Sequence, residues 1–219
     1  MANSYCGLPP DFYEASLRSM NPLQRYYHSN RYAKVRRFIS ARYLKGMRIL
    51  DIGCGSANWN TGKLQVEGVD QTEQQLRYGK SRGYLSGFVV WNLDELPLPF
   101  EEHSFDFIVL AEVLEHMGRP ARLLAEARRL LKGGGKLVAT VPLDTPLSAW
   151  SLLFGAECFV LGDVLGNRYY RERCGHVHHF SFGSLAELLR KNGFSVIEKD
   201  VTMMNIGVVA VGQRAGQRR

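Results

Sequence analysis

Three groups of side chains in this sequence have types and spacings suited to chemistry. The first is Asp51-Ile52-Gly53-Cys54-Gly55, where the apolar pair Ile49-Leu50 runs into an acid and then a Gly-x-Gly turn. Glycines at such a turn can adopt positive φ and let a ligand approach the backbone closely. The second is Asp70, which closes the run Val66-Glu67-Gly68-Val69 about 20 residues further on, the separation at which an acid accepts hydrogen bonds from ribose hydroxyls. Asp70 also fits the N-cap of a helix over Gln71–Gly79. The third is Glu112-x-x-Glu115-His116. His116 titrates near neutrality, so it is a candidate general base. Glu112, Glu115 and His116 together form a weak metal-ligand set, and the stronger reading is that no metal is bound.

A further cluster, Cys174-Gly175-His176-Val177-His178-His179, fits no standard structural zinc spacing. His176 and His179 are therefore read as secondary catalytic candidates facing a substrate.

These residues need a scaffold that brings them to one edge. Strands are expected at Met47–Ile52, Leu64–Val69, Gly87–Trp91, Ser104–Leu110 and Lys136–Val141, each apolar enough for a buried parallel sheet. Pro120–Leu131 reads as an amphipathic helix with Leu123, Leu124, Ala127, Leu130 and Leu131 on one stripe, stopped by Gly133-Gly134-Gly135. A last helix over Ser184–Asn192 precedes two strands, Phe194–Glu198 and Gly207–Val211, expected as an antiparallel pair. Asn21-Pro22 marks a helix start or turn. The helix that follows carries Val35, Phe38, Ile39 and Tyr43 toward the sheet. Most aromatic and basic residues of this region are expected to pack on the sheet edge or face water, with Tyr26, Tyr27 and His28 as the exceptions. Ser56–Lys63 is too short for an ordinary crossover helix between the first two strands.

Taken with this order, Ile49–Gly55 resembles motif I of the class I S-adenosylmethionine (SAM) dependent methyltransferases, with Ala57 in place of the third glycine. Asn92-Leu93-Asp94-Glu95-Leu96-Pro97 resembles the family's adenine-contacting segment. Ala111-Glu112-Val113-Leu114-Glu115-His116 resembles its post-strand segment beside the sulfonium, and Lys132-Gly133-Gly134 its Gly-rich turn. The resemblance covers about Met47 to Gly212 and implies a Rossmann-like α/β fold: a seven-stranded, mostly parallel sheet with an antiparallel last strand. It implies SAM as cofactor and S-adenosylhomocysteine (SAH) as product. The cofactor would be held by Asp51, Gly53, Cys54, Gly55, Asp70, Gln71, Asn92, Leu93, Ala111 and Glu112. The acceptor would be a small molecule, lipid precursor or sugar, with O-methylation first. A nicotinamide oxidoreductase and a non-catalytic SAM-binding protein are the rival readings.

The expected organisation is one domain over 1–219. Within it lie a helical cover at 1–45, a cofactor-binding core at 46–142, a substrate-side insertion at 143–180, a last helix and strand pair at 181–212, and a basic tail at 213–219. The insertion is apolar, which suits a substrate pocket or a homodimer surface. The formal charge of +7 draws partly on Arg214, Arg218 and Arg219 in the tail. Charge alone names no partner, and no strong nucleic-acid signal accompanies it: neither an N/D-P-P-Y segment nor a Pro-Cys nucleophile occurs. No apolar run is long enough for a membrane span, and the cysteines Cys6, Cys54, Cys158 and Cys174 show no C-x-x-C spacing. A cytoplasmic location is the expectation.

Overall fold

The computed structural model describes residues 9–19, 21–145, 148–202 and 204–212; the expected basic tail lies outside them. Seven strands form one sheet: β1 Ile49–Ile52, β2 Val66–Asp70, β3 Gly87–Val90, β4 Phe105–Ala111, β5 Leu131–Pro142, β6 Phe194–Val201 and β7 Asn205–Gly212. Their order is β3-β2-β1-β4-β5-β7-β6. The first five pair in parallel, and β7 runs antiparallel between β5 and β6. The strand order reverses between β1 and β4, so their carboxyl ends open a crevice where open α/β sheets bind ligands.

The helices are α1 Phe12–Ser16, α2 Pro22–Ser40, α3 Glu73–Ser81, α4 Pro120–Leu130, α5 Ala149–Glu157, α6 Arg168–Arg171 and α7 Phe182–Lys191. Strand residues alternate between two cores, as the period of two requires. Leu50, Ile52, Ile108 and Leu110 pack with Leu123, Leu124, Ala127 and Leu130 of α4 and Leu185 and Leu189 of α7. Ile49, Val66, Phe107 and Val109 pack on the opposite face with Val35, Phe38 and Ile39 of α2 and Leu76 of α3. Burying the sheet on both sides explains why its central strands are continuously apolar.

Several expected boundaries move. Strand β5 begins at Leu131, directly after α4, because Leu131 pairs with Phe105 and a bulge between Phe105 and Phe107 absorbs the glycines. Helix α3 starts at Glu73 with Thr72 at its N-cap, so Asp70 is not the cap. Helix α7 starts at Phe182 because Ser181 and Ser184 form a capping box. Among the described residues, no helix is long and apolar enough to cross a membrane.

Candidate active site

The crevice at the β1–β4 switch point is floored by the glycine loop. Gly53 and Gly55 have φ of +69° and +50°. A Cβ on Gly53 would lie 2.7 Å from Val113 Cγ2, so this position needs glycine for both conformation and space. Ala57, at the third-glycine position, also has positive φ, +51°. The replacement therefore keeps a left-handed turn at some backbone cost. The amide of Gly53 donates to the Val69 carbonyl at 2.7 Å, tying the loop to β2.

With no crossover helix, side chains support this loop. Trp59, fully buried, donates its indole Nε1 to Asp51 Oδ2 at 2.7 Å. Asn60 donates to the carbonyls of Leu64 and Tyr84, both at 2.8 Å, and accepts from the Leu64 amide at 2.9 Å. Burial pushes the Asp51 carboxyl up to about 7, against the lowering effect of the Trp59 bond.

Asp70 sits at the tip of β2. One carboxylate oxygen accepts from the Gly55 amide at 2.9 Å and the other from the Thr72 amide at 2.8 Å. Each oxygen keeps a further lone pair, so the carboxylate is held in place with capacity left for a ligand's hydroxyls. Burial raises its pKa.

The roof comes from the N-terminal helices, and here the expectation that most basic residues face water is corrected for Arg31 and Lys34. Arg31 is buried, inside an aromatic cage: its guanidinium carbon is 5.2 Å from the Tyr13 ring, 5.7 Å from Tyr27 and 4.7 Å from Tyr32. It donates to the Tyr32 hydroxyl at 2.9 Å, while its Nε has no hydrogen-bond partner. Lys34 is buried too, donating to the Asn205 carbonyl at 3.0 Å and the Asp200 carbonyl at 3.1 Å. Of the expected exceptions, Tyr27 and His28 are buried in the cavity wall, whereas Tyr26 is exposed. The signal for Arg31 was there in its position between Tyr27 and Tyr32. Tyr27 lies four residues before Arg31, one helical turn away, where an aromatic ring can pack on a cation.

The reactive side lies beyond β4. Glu112 takes φ +59° and accepts a hydrogen bond from Tyr27, latching α2 to the tip of β4. A 3₁₀ turn, Leu114–His116, follows. The amides of Val177 and His178 donate to the Glu115 carbonyl at 2.9 and 3.0 Å, and His116 Nδ1 is 3.1 Å from the Gly175 carbonyl. These contacts bring His176 against His116, with ring centroids 4.8 Å apart, and the Phe154 ring of α5 stacks on His176 at 5.2 Å. Burial lowers His116 to about 4, and burial together with His116 lowers His176 to about 3; both are neutral near pH 7. Burial, reinforced by Glu112, raises Glu115 well above the usual carboxylate range.

These walls enclose one cleft of about 1480 Å³ including its open mouth. Asp51, Gly53, Cys54, Gly55, Asp70, Gln71, Leu93, Ala111 and Glu112 all line it. Asn92 does not: its carbonyl oxygen accepts from the Asp94 amide at 3.1 Å and its amide donates to Glu95. His116 and His176 line the cleft, but His179 is exposed, with Nδ1 2.6 Å from Asp144. The weak metal-ligand set of the sequence also rearranges, since Glu112 turns to Tyr27 and His176 joins Glu115 and His116.

A parallel five-strand core closed by an antiparallel pair, with a Gly-x-Gly loop after β1 and an acid ending β2, defines a class I SAM-dependent methyltransferase. The chain belongs to the methyltransferase-domain family, whose model matches residues 23–199. A relative, the demethylmenaquinone methyltransferase of Listeria monocytogenes, is 26% identical over 173 residues, covering 71% of this chain and 73% of its own. The enzyme of the same name from Staphylococcus epidermidis is 33% identical over 137 residues, 59% of this chain and 57% of its own. Among solved structures, magnesium protoporphyrin IX methyltransferase from Synechocystis PCC 6803 with bound SAH has a TM-score of 0.63 at 15% identity, covering 89% of each chain. A SAM-dependent methyltransferase from Methanosarcina mazei has a TM-score of 0.59 at 21% identity, covering 80% of this chain and 97% of its own.

Proposed function

We propose that this methyltransferase moves the methyl group of SAM to a hydroxyl oxygen of a small-molecule or lipid-precursor acceptor. Carrying this reading is the division of one cleft into two ends. Both sets of residues line the same cleft: we assign the glycine loop, Asp70 and Leu93 to a nucleoside end, and Glu115, His116, His176 and Phe154 to an acceptor end. SAM carries the driving force, so the protein's work is placement and exclusion of water. In this reading Asp70 accepts the ribose hydroxyls, Gly53, Cys54, Gly55 and Asp51 hold the methionyl part, and Gln71 and Leu93 flank the adenine. Arg31, which lines the cleft and whose buried Nε has no hydrogen-bond partner, takes the cofactor's carboxylate in this reading. Ala111 and Glu112 border the sulfonium. The neutral imidazoles of His116 and His176 receive the acceptor's hydroxyl. The relatives named for demethylmenaquinone support a lipid-precursor acceptor.

The test is an acceptor screen with methyl-labelled SAM, followed by mass spectrometry of the product. An O-methylated phenol or related hydroxyl compound is expected; labelling only at carbon or nitrogen would overturn the oxygen assignment. The reading includes a cytoplasmic enzyme, which cell fractionation checks. It includes a homodimer through the 143–174 section, where Phe159, Val164 and Leu165 are exposed, and light scattering on the full chain checks that.

A further inference from the structure

We propose that Glu115, His116 and His176 form a binding site for a divalent first-row transition ion, zinc foremost, at the acceptor end of the cleft. The three residues each offer one ligand atom, and these atoms all lie within 4.8 Å of one another. Two segments 60 residues apart in sequence are stitched together to achieve this. Three contacts do it: the amides of Val177 and His178 to the Glu115 carbonyl, and His116 Nδ1 to the Gly175 carbonyl.

One pair already stands at the spacing of ligation. His116 Nε2 stands 3.6 Å from Glu115 Oε1. That is too long for a hydrogen bond, but two ligands of one tetrahedral ion, each at roughly 2.1 Å, stand about 3.4 Å apart. The other ring nitrogen, Nδ1, faces a backbone carbonyl, the outer contact that orients a ligating imidazole and fixes its tautomer.

Buried polar atoms make the same point independently. The Glu115 side chain is 1% exposed, yet neither carboxyl oxygen has a hydrogen-bond partner, and His176 Nδ1 has none either. An unsatisfied buried polar group costs about 1–3 kcal/mol, so leaving two such side chains, Glu115 and His176, side by side is expensive unless a ligand fills the gap. Arg31 acts on Glu115 electrostatically but makes no hydrogen bond to its carboxyl oxygens. Two imidazoles and one carboxylate select a borderline ion over magnesium or calcium, which favour all-oxygen sets. Open coordination positions facing the cleft would let the ion hold and polarise an acceptor oxygen, replacing the direct imidazole contact of the metal-free site. That role rests on the proposed function; the binding itself does not.

The experiment uses the full chain, stripped of metal with a chelator and titrated with cobalt(II), whose visible bands report its coordination. One equivalent should bind and give bands of a low-coordinate nitrogen–oxygen site, and zinc should bleach them. His176→Ala and Glu115→Gln should each weaken cobalt binding by about 10–100-fold, while His179→Ala, outside the cleft, leaves it unchanged. Calorimetric titration with SAH runs beside each variant. A wild-type chain that binds SAH but shows no cobalt bands overturns the metal site and leaves the methyltransferase reading standing. Bands that persist in both variants would overturn it as well. Should one variant fail to bind SAH through misfolding, the other still decides.

Discussion

The Trp59 indole donates a 2.7 Å hydrogen bond to the Asp51 carboxylate beneath the glycine loop. It takes the structural place of the helix that the short Ser56–Lys63 connection leaves no room for. A buried aromatic ring and a buried acid thus fix the loop that a helix would otherwise support, and the first prediction concerns this pair.

Replacing Trp59 with Phe keeps most of the packing but removes the donor. Asp51 Oδ1 already lacks a partner, so the variant leaves the whole carboxyl group unpaired and buried. A loss of about 1–3 kcal/mol is expected, read as a lower urea midpoint, with weaker SAH binding because the loop loosens. An unchanged midpoint would mean that packing alone holds the loop.

Asp51 also sets a pH dependence. Its folded-state carboxyl is raised from 3.8 to about 7, so the folded chain holds this proton more tightly than the unfolded one. The group's contribution is greatest below about pH 4, falls as pH rises through 7, and levels off above it. The full change is about 4 kcal/mol by linkage. Asp51→Asn should remove this slope from cofactor-free denaturation midpoints measured between pH 4 and 8. A slope equal to that of the wild type would place the dependence elsewhere.

Asp70→Ala tests the nucleoside end. The variant loses the carboxylate proposed to accept the ribose hydroxyls and the brace on Gly55 and Thr72. SAH affinity should fall by at least about 100-fold, the equivalent of two charge-assisted hydrogen bonds, in calorimetric titration. Retained affinity would move the ribose to another residue.

Arg31→Met tests the carboxylate contact separately. A loss of about 10–100-fold in SAM affinity is expected, given the worth of a charged hydrogen bond. Adenosine, which lacks the carboxylate, should bind the variant and the wild type alike. An equal loss for both ligands would show that Arg31 acts through the fold instead.

Gly79→Ala sets two effects against each other. Alanine is better than glycine in a helix by about 1 kcal/mol, but a Cβ here would lie 2.6 Å from the Ser56 carbonyl oxygen. The contact is with backbone, which cannot swing aside, so net destabilisation of about 1–3 kcal/mol is expected. A raised thermal midpoint would show that α3 can shift off the loop.

Much of this molecule was legible in its sequence because the signals were local. The apolar run into Asp51, the glycines, and the acid closing β2 each constrain backbone or burial within a few residues. Their order is enough to specify a parallel sheet with a ligand at its carboxyl edge. The helix stripe of α4 and the antiparallel ending were readable for the same reason. Tertiary structure decided what depends on distant partners. Arg31 reads as a surface cation until three tyrosines close around it. The side chain of Asn92, read as an adenine contact, bonds within its own turn. Of three nearby histidines, the backbone bonds of 175–178 to Glu115 and His116 bring His176 into the cleft, while His179 stands outside on Asp144. Sequence spacing cannot rank such choices, because each is settled by contacts between segments tens of residues apart.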